Sequence, residues 1–173
     1  MPEQREKLWD YDAVVPGQAG PHTVVQTTEE AISRYALIAQ CQDSRYHQSG
    51  ANHEYDGAWV AMPTMVLTYA PLLREEIAAA NGFVALEDSQ TGRRQTPFAK
   101  CEIRWTRPVR AVDTITTTRH VLKKYQRRGS KFVTFRVEAA NQDGQRTAGY
   151  DYTCIFEYAK GLRQVPKDRG SAN

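Results

Sequence analysis

Carboxylate and imidazole side chains, the usual carriers of general acid–base chemistry, meet in one polar stretch of this sequence. It runs Gln42-Asp43-Ser44-Arg45-Tyr46-His47-Gln48-Ser49-Gly50, with His53 and Glu54 a few residues beyond. Other chemistries find less support. His53-Glu54 could open a zinc-binding His-Glu-x-x-His helix, but the position four residues after His53 is Gly57, so no metal site is expected. Ser44, Ser49 and Ser130 lack a Gly-x-Ser-x-Gly elbow, which leaves serine hydrolysis without a nucleophile. Gly17-Gln18-Ala19-Gly20 is neither a dinucleotide fingerprint nor a P-loop, and no cofactor is expected. Cys41, Cys101 and Cys154 are odd in number and far apart, the pattern of free thiols rather than of a disulfide framework or a zinc site.

The scaffold that must position these groups is one ordinary domain. The chain has 173 residues, 40% hydrophobic and 25% charged, enough to build a core. Its longest apolar stretch, Trp59 to Leu73, is interrupted by Pro63, Thr64, Thr68 and Pro71 and falls short of the roughly 20 residues that span a bilayer. No membrane association is expected. The amino terminus is charged and has no apolar run behind it, which points to a cytoplasmic protein. A net charge of +3 is too weak for a nucleic-acid partner, and the one basic cluster, Lys123 to Lys131, reads as a hairpin tip. Such a tip either meets phosphates or, more commonly, is a solvated turn.

The order of elements follows from periodicity. Residues 1–20 form an irregular lead-in whose Leu8, Trp9 and Tyr11 are available for docking. The domain proper is expected over 21–160 and a flexible tail over 161–173. Thr27-Thr28-Glu29-Glu30 has capping-box spacing, and Ala31, Ile32, Tyr35, Ala36 and Ala39 form one apolar helical stripe. A second, buried helix starts at Pro63 and carries Met65, Val66, Tyr69, Leu72, Leu73 and Ile77. Pro71 must kink or divide it, and Asn81-Gly82 ends it. Beyond, residues 99–105, 114–122, 133–139 and 148–158 alternate as strands, with turns at Arg128-Gly129-Ser130 and Asn141 to Gly144. An antiparallel sheet with one apolar face needs a cover, and only the helix from Pro63 can supply it. The predicted fold is α+β, a single hotdog domain with an antiparallel sheet wrapped around a long central helix.

Several segments, in order, resemble the MaoC-like, R-specific enoyl thioester hydratases and dehydratases. Ala61-Met62-Pro63-Thr64 is similar to that family's Ala-Pro-Pro-Thr helix start. Arg107-Pro108-Val109-Arg110-Ala111-Val112-Asp113-Thr114-Ile115 is similar to its Arg-Pro-Val-x-x-Gly-Asp-Thr-Leu, with Val112 in the Gly place. Residues 132–137 with Asn141-Gln142-Asp143-Gly144 resemble its penultimate hairpin. The match spans roughly residues 24–158.

The resemblance implies an acyl thioester, on coenzyme A or on an acyl carrier protein, in a tunnel beside the helix. Thr64 or Met65 would then offer an amide to the thioester oxygen, and Tyr46 and Tyr55 would stand beside the acyl pocket. The family's Asp-x-Asn-Pro-x-His motif corresponds to Asp43-Ser44-Arg45-Tyr46-His47, one residue shorter and without Asn-Pro. Preserving the spacing would put Gln42 in the Asp place or Gln48 in the His place, and Gln is no base. Asp43 and His47 are therefore the implied acid–base pair, with His53 a rival. The implied activity is hydration or dehydration across the 2,3 bond. A non-catalytic hotdog subunit and a hotdog thioesterase are the alternatives, and a homodimer or a heterodimer with another hotdog subunit is the expected assembly.

Overall fold

The computed structural model describes residues 6–47 and 52–160; the tail at 161–173 and the segment 48–51, which includes Gln48, lie outside the described residues. Five strands form one antiparallel sheet: β1 (Thr23–Gln26), β2 (Phe98–Trp105), β3 (Thr114–Arg127), β4 (Ser130–Ala140) and β5 (Arg146–Glu157), in the order β1-β3-β4-β5-β2. The central three are the expected meander. Arg128 and Gly129, at φ +50° and +80°, make the two-residue turn whose twist matches the flanking strands, and Gly144 at φ +70° closes the next. β2 instead crosses to the far edge and pairs with β5, and its other edge has no strand partner among the described residues.

Helix α1 (Glu29–Ile38) begins one residue later than a Thr27 cap would give. The Thr28 hydroxyl accepts from the Ala31 amide at 3.1 Å, so Glu30 falls inside the first turn and pairs with Arg34 instead of reaching back. Ile32 and Ala36 of its stripe are buried.

The central helical segment is divided. A 3-10 turn at Pro63–Met65 runs into α2 (Val66–Tyr69), the backbone breaks over residues 70–73, and α3 (Arg74–Ala80) resumes. Pro71 is the cause: it has no amide to donate and disfavours helical backbone at Ala70, and the chain recovers through Leu73 at φ +47°. The break strands the Ala70 carbonyl, which the buried Tyr150 hydroxyl satisfies at 2.7 Å. No helix among the described residues is long and apolar enough to cross a membrane.

Two apolar clusters flank the break. Met65, Val66 and Tyr69 pack with Ile32, Ile115, Val137 and Tyr150, while Ile77 and Ala78 pack with Val121, Phe135 and Phe156. The second cluster is completed from the lead-in by Trp9 and Val14, both essentially fully buried. Trp9 lies 5.8 Å from Phe135 and 6.3 Å from Phe156, centroid to centroid, and donates its indole hydrogen to Gln18 Oε1 at 2.9 Å. Glu6 fastens the start of the lead-in, accepting from Ser89 Oγ at 2.8 Å and from the Gln90 amide at 3.0 Å. These bonds, the Gln90 amide first, pull its carboxyl down to about 2. Residues 6–20 are thus irregular in backbone yet part of the core.

Candidate functional site

Between α1 and the central helix the described residues make two single 3-10 turns, Ser44–Tyr46 and His53–Tyr55. Asp43 caps the first. Its Oδ1 accepts from the Arg45 amide at 3.0 Å, and its Oδ2 accepts from Arg45 Nε at 2.9 Å and Nη2 at 2.6 Å. The Arg45 guanidinium, then the Arg45 amide, hold this carboxyl below the usual carboxylate range. His47 ends the same turn with Nε2 2.7 Å from the Cys41 carbonyl oxygen. A carbonyl only accepts, so Nε2 carries a hydrogen, and in the neutral ring the basic nitrogen is Nδ1.

Asp43 and His47 stand at the two ends of one turn, but no hydrogen bond joins them among the described residues. A 3-10 turn aligns positions three apart, so the pair does not share a face as it would in an α-helix. His53 is exposed at the head of the second turn, with no side-chain cap from Asn52. Asn52 is 2% exposed, and neither atom of its carboxamide meets a partner among the described residues; the buried Trp59 indole nitrogen is unpaired as well. Tyr46 packs on the cluster at the helix start, and burial pushes its hydroxyl up.

At the helix start the Met65 amide donates to the Met62 carbonyl at 2.9 Å, and the Val66 amide to the Pro63 carbonyl. Met65 is thereby spent as a donor to a ligand, and its side chain is buried. Thr64, exposed and within the first turn, has no intrahelical acceptor for its amide. The Pro63 carbonyl also accepts from Trp105 Nε1 at 2.8 Å, which ties the end of β2 to the helix start.

A cleft of about 250 Å³ opens at this junction. Tyr55 from the second turn, Ala61 and Tyr69 from the helical segment, and the run from Trp105 to Val109 line it. Tyr69 is its buried floor, its hydroxyl pushed up to about 12 by burial, whereas Trp105 and Arg107 are exposed at its rim. The backbone of this run is fixed, because the Thr106 and Arg107 amides both donate to the Thr147 carbonyl, at 2.8 and 3.0 Å. In the sequence, Tyr69 reads only as core and Trp105 only as a strand residue. The available signal was the aromatic residue ending β2 immediately before Arg107-Pro108-Val109.

The basic hairpin has another employment. Lys124 donates to the Tyr11 carbonyl at 3.0 Å, and its ammonium lies 4.9 Å from the Tyr11 ring centroid; Lys131 lies 5.2 Å from the same ring and pairs with Glu157 at 2.9 Å. Two of its lysines therefore hold the lead-in against the sheet.

No family model matches the sequence, and no curated protein is a significant match to it. Solved structures do match. A monoamine oxidase regulatory protein from Archaeoglobus superposes with a TM-score of 0.68 at 19% identity, over 89% of this chain and 97% of that one. The R-hydratase PhaJ1 of Pseudomonas aeruginosa gives 0.60 at 17% identity over 91% and 94%. The HadBC complex of Mycobacterium tuberculosis, a 3R-hydroxyacyl-ACP dehydratase, gives 0.60 at 16% over 82% and 99%. With its single antiparallel sheet wrapped around a central helical segment, the chain has the hotdog fold of the MaoC-like dehydratases and R-hydratases.

Proposed function

We propose that this chain is a hotdog hydratase or dehydratase that adds or removes water across the 2,3 bond of an acyl thioester. The observation that carries the reading is the aromatic-walled cleft at the helix start, one wall of which, Tyr55, comes from the same overhang as Asp43 and His47. Its volume suits a short acyl group and its thioester. The thioester oxygen faces the Thr64 amide, with the Met65 side chain behind it and Tyr46 bordering the acyl group. When the α-carbon loses its proton this oxygen gains negative charge, and one well-aimed amide there is worth about 3 kcal/mol.

In the dehydration direction the pair takes one proton from the α-carbon and returns one to the hydroxyl leaving C3, so its charge is restored each turnover. His47 Nδ1 is the base; Asp43, ionised through Arg45, shares the water. His53, exposed beside Tyr55, is the substitute should His47 prove dispensable. The carrier is coenzyme A or an acyl carrier protein. The open β2 edge, with Phe98 and Trp105 exposed on it, supports association with a second hotdog subunit, identical or homologous, and the HadBC and ChsH1-ChsH2 complexes are assemblies named among proteins of this fold.

The Asp43–Arg45 pair favours a second reading, a non-catalytic hotdog subunit, because it engages both oxygens of the candidate carboxylate. Purified protein offered crotonyl and 3-hydroxybutyryl thioesters separates the readings. Interconversion of the two supports the hydratase. Binding without turnover supports the non-catalytic subunit, and release of free thiol identifies a thioesterase.

A further inference from the structure

We propose that the cleft selects acyl groups that carry a neutral oxygen acceptor, an oxo or ether oxygen, beyond the 2,3 bond, and that the Tyr69 hydroxyl recognises that oxygen. The inference rests on the acyl-thioester reading above and deepens it by naming the class of acyl group.

The buried lining of the cleft is Ala61, Val109 and Tyr69, and of these only Tyr69 brings a polar side-chain atom. Tyr69 is 4% exposed, yet its hydroxyl has no hydrogen-bond partner among the described residues. A buried tyrosine normally finds one. Tyr150, enclosed in the same apolar cluster, finds it at the carbonyl of Ala70, the residue next to Tyr69. The two phenols therefore differ in employment: one closes the helix break, and the other is left over. Nor is the Tyr69 hydroxyl sealed into the core, as the partnerless Trp59 indole nitrogen and Asn52 carboxamide are. Its opening is the cleft that Tyr69 lines.

Thr64 lies exposed at the helix start, five residues before Tyr69, which is roughly 7–8 Å along the helix axis. With the thioester oxygen on the Thr64 amide, C2 and C3 stay within two bonds of the thioester carbon, and the floor is left to the more distal chain. Burial pushes the Tyr69 hydroxyl up to about 12, so it keeps its hydrogen and acts as a donor. A plain alkyl chain that reaches the floor shuts this donor off from water and replaces nothing, whereas an oxygen acceptor restores the bond. A carboxylate is a poor fit, because the one cation among the described residues lining the cleft, Arg107, stands at the exposed rim. A distal hydroxyl brings a hydrogen of its own, for which the side chains of Ala61 and Val109 offer no acceptor. An oxo or ether oxygen needs a single donor.

The test uses saturated thioesters without a 3-hydroxyl, so that binding is read apart from turnover. Calorimetric affinities of the full-length protein are measured for two pairs, pentanoyl-CoA with 4-oxopentanoyl-CoA and hexanoyl-CoA with 5-oxohexanoyl-CoA. At least one oxo ligand is expected to bind about tenfold or more tightly than its alkyl counterpart. Tyr69→Phe keeps the ring and should bring both pairs to within about twofold, by weakening the oxo ligand and sparing or tightening the alkyl one. Since the hydroxyl it removes has no partner in the fold, its Tm should equal or exceed that of the wild type. A wild type that binds both members of each pair alike, or prefers the alkyl member, overturns the acyl class and leaves the thioester reading standing. A preference that survives in Tyr69→Phe, or a variant that melts several degrees lower, overturns the role given to Tyr69. Failure of the wild type to bind any of the four overturns the thioester reading and the inference with it.

Discussion

Val112 occupies a backbone position that its side chain should oppose. Residues 110–113 form a turn in which the Asp113 amide donates to the Arg110 carbonyl at 3.1 Å, and Val112, third in the turn, sits at φ +72°. A type II turn requires positive φ there and so favours glycine. A left-handed conformation costs an L-residue about 1–2 kcal/mol, with a β-branched side chain at the upper end. Val112 is 76% exposed, so little apolar burial offsets that cost. Val112→Gly removes the strain but loosens the unfolded chain by about 0.5–1 kcal/mol. The net expectation is a gain of about 1–1.5 kcal/mol, or roughly 2–6 °C in Tm for a chain of this size. The amide hydrogen bonds of the turn, including Val112 to the Thr27 carbonyl at 2.7 Å, survive the change. Urea denaturation of the two proteins, with m held equal, measures the difference. A destabilised Val112→Gly protein would refute the strain argument, since the loss would mean that the side chain contributes more than the backbone costs.

Trp9→Ala should cost about 3–5 kcal/mol, because the ring is fully enclosed between Phe135 and Phe156; a thermal scan showing a change below about 1 kcal/mol would mean that the lead-in is not part of the core. Acid stability should fall below about pH 4. Asp151 is held at about 2, against an ordinary 3.8, chiefly by the hydrogen-bonded Arg136 and also by Arg104. A depressed folded pKa contributes stability that is complete above the unfolded value and is lost as pH falls toward 2. With Arg104 half exposed, this amounts to about 1–2 kcal/mol, and Asp151→Asn should flatten the stability–pH curve over that interval. An unchanged slope in the mutant would assign acid unfolding to other groups.

Much of the fold is legible because it is periodic. The alternation at 99–105 and 133–139, the Arg128-Gly129 turn and the stripe from Ala31 each describe local geometry that the tertiary structure keeps. Pro71 announces the helix break for a covalent reason. The position of β2 at the far edge, next to β5, depends on long-range pairing that no local pattern encodes. Trp9 is visible as an apolar residue in an irregular segment, but its aromatic partners Phe135 and Phe156 are more than a hundred residues away. At the site, residue types point to Asp43 and His47, whereas their geometry depends on a 3-10 turn and on Arg45, the residue between them, whose competing guanidinium no local sequence pattern marks. The gap in the family's Gly pattern at Val112 has a physical meaning only once φ is known.

Hydration of crotonyl-CoA by the purified protein, followed as loss of enoyl thioester absorbance, is the most direct test of the central claim. Measurable turnover by the wild type is expected, with a fall of roughly 10²-fold or more in both His47→Ala and Asp43→Asn and folding retained, since positioned acid–base groups contribute about that much. Wild-type rates in both variants would contradict the assignment, and a wild type that binds the thioester yet never hydrates it would contradict the activity itself.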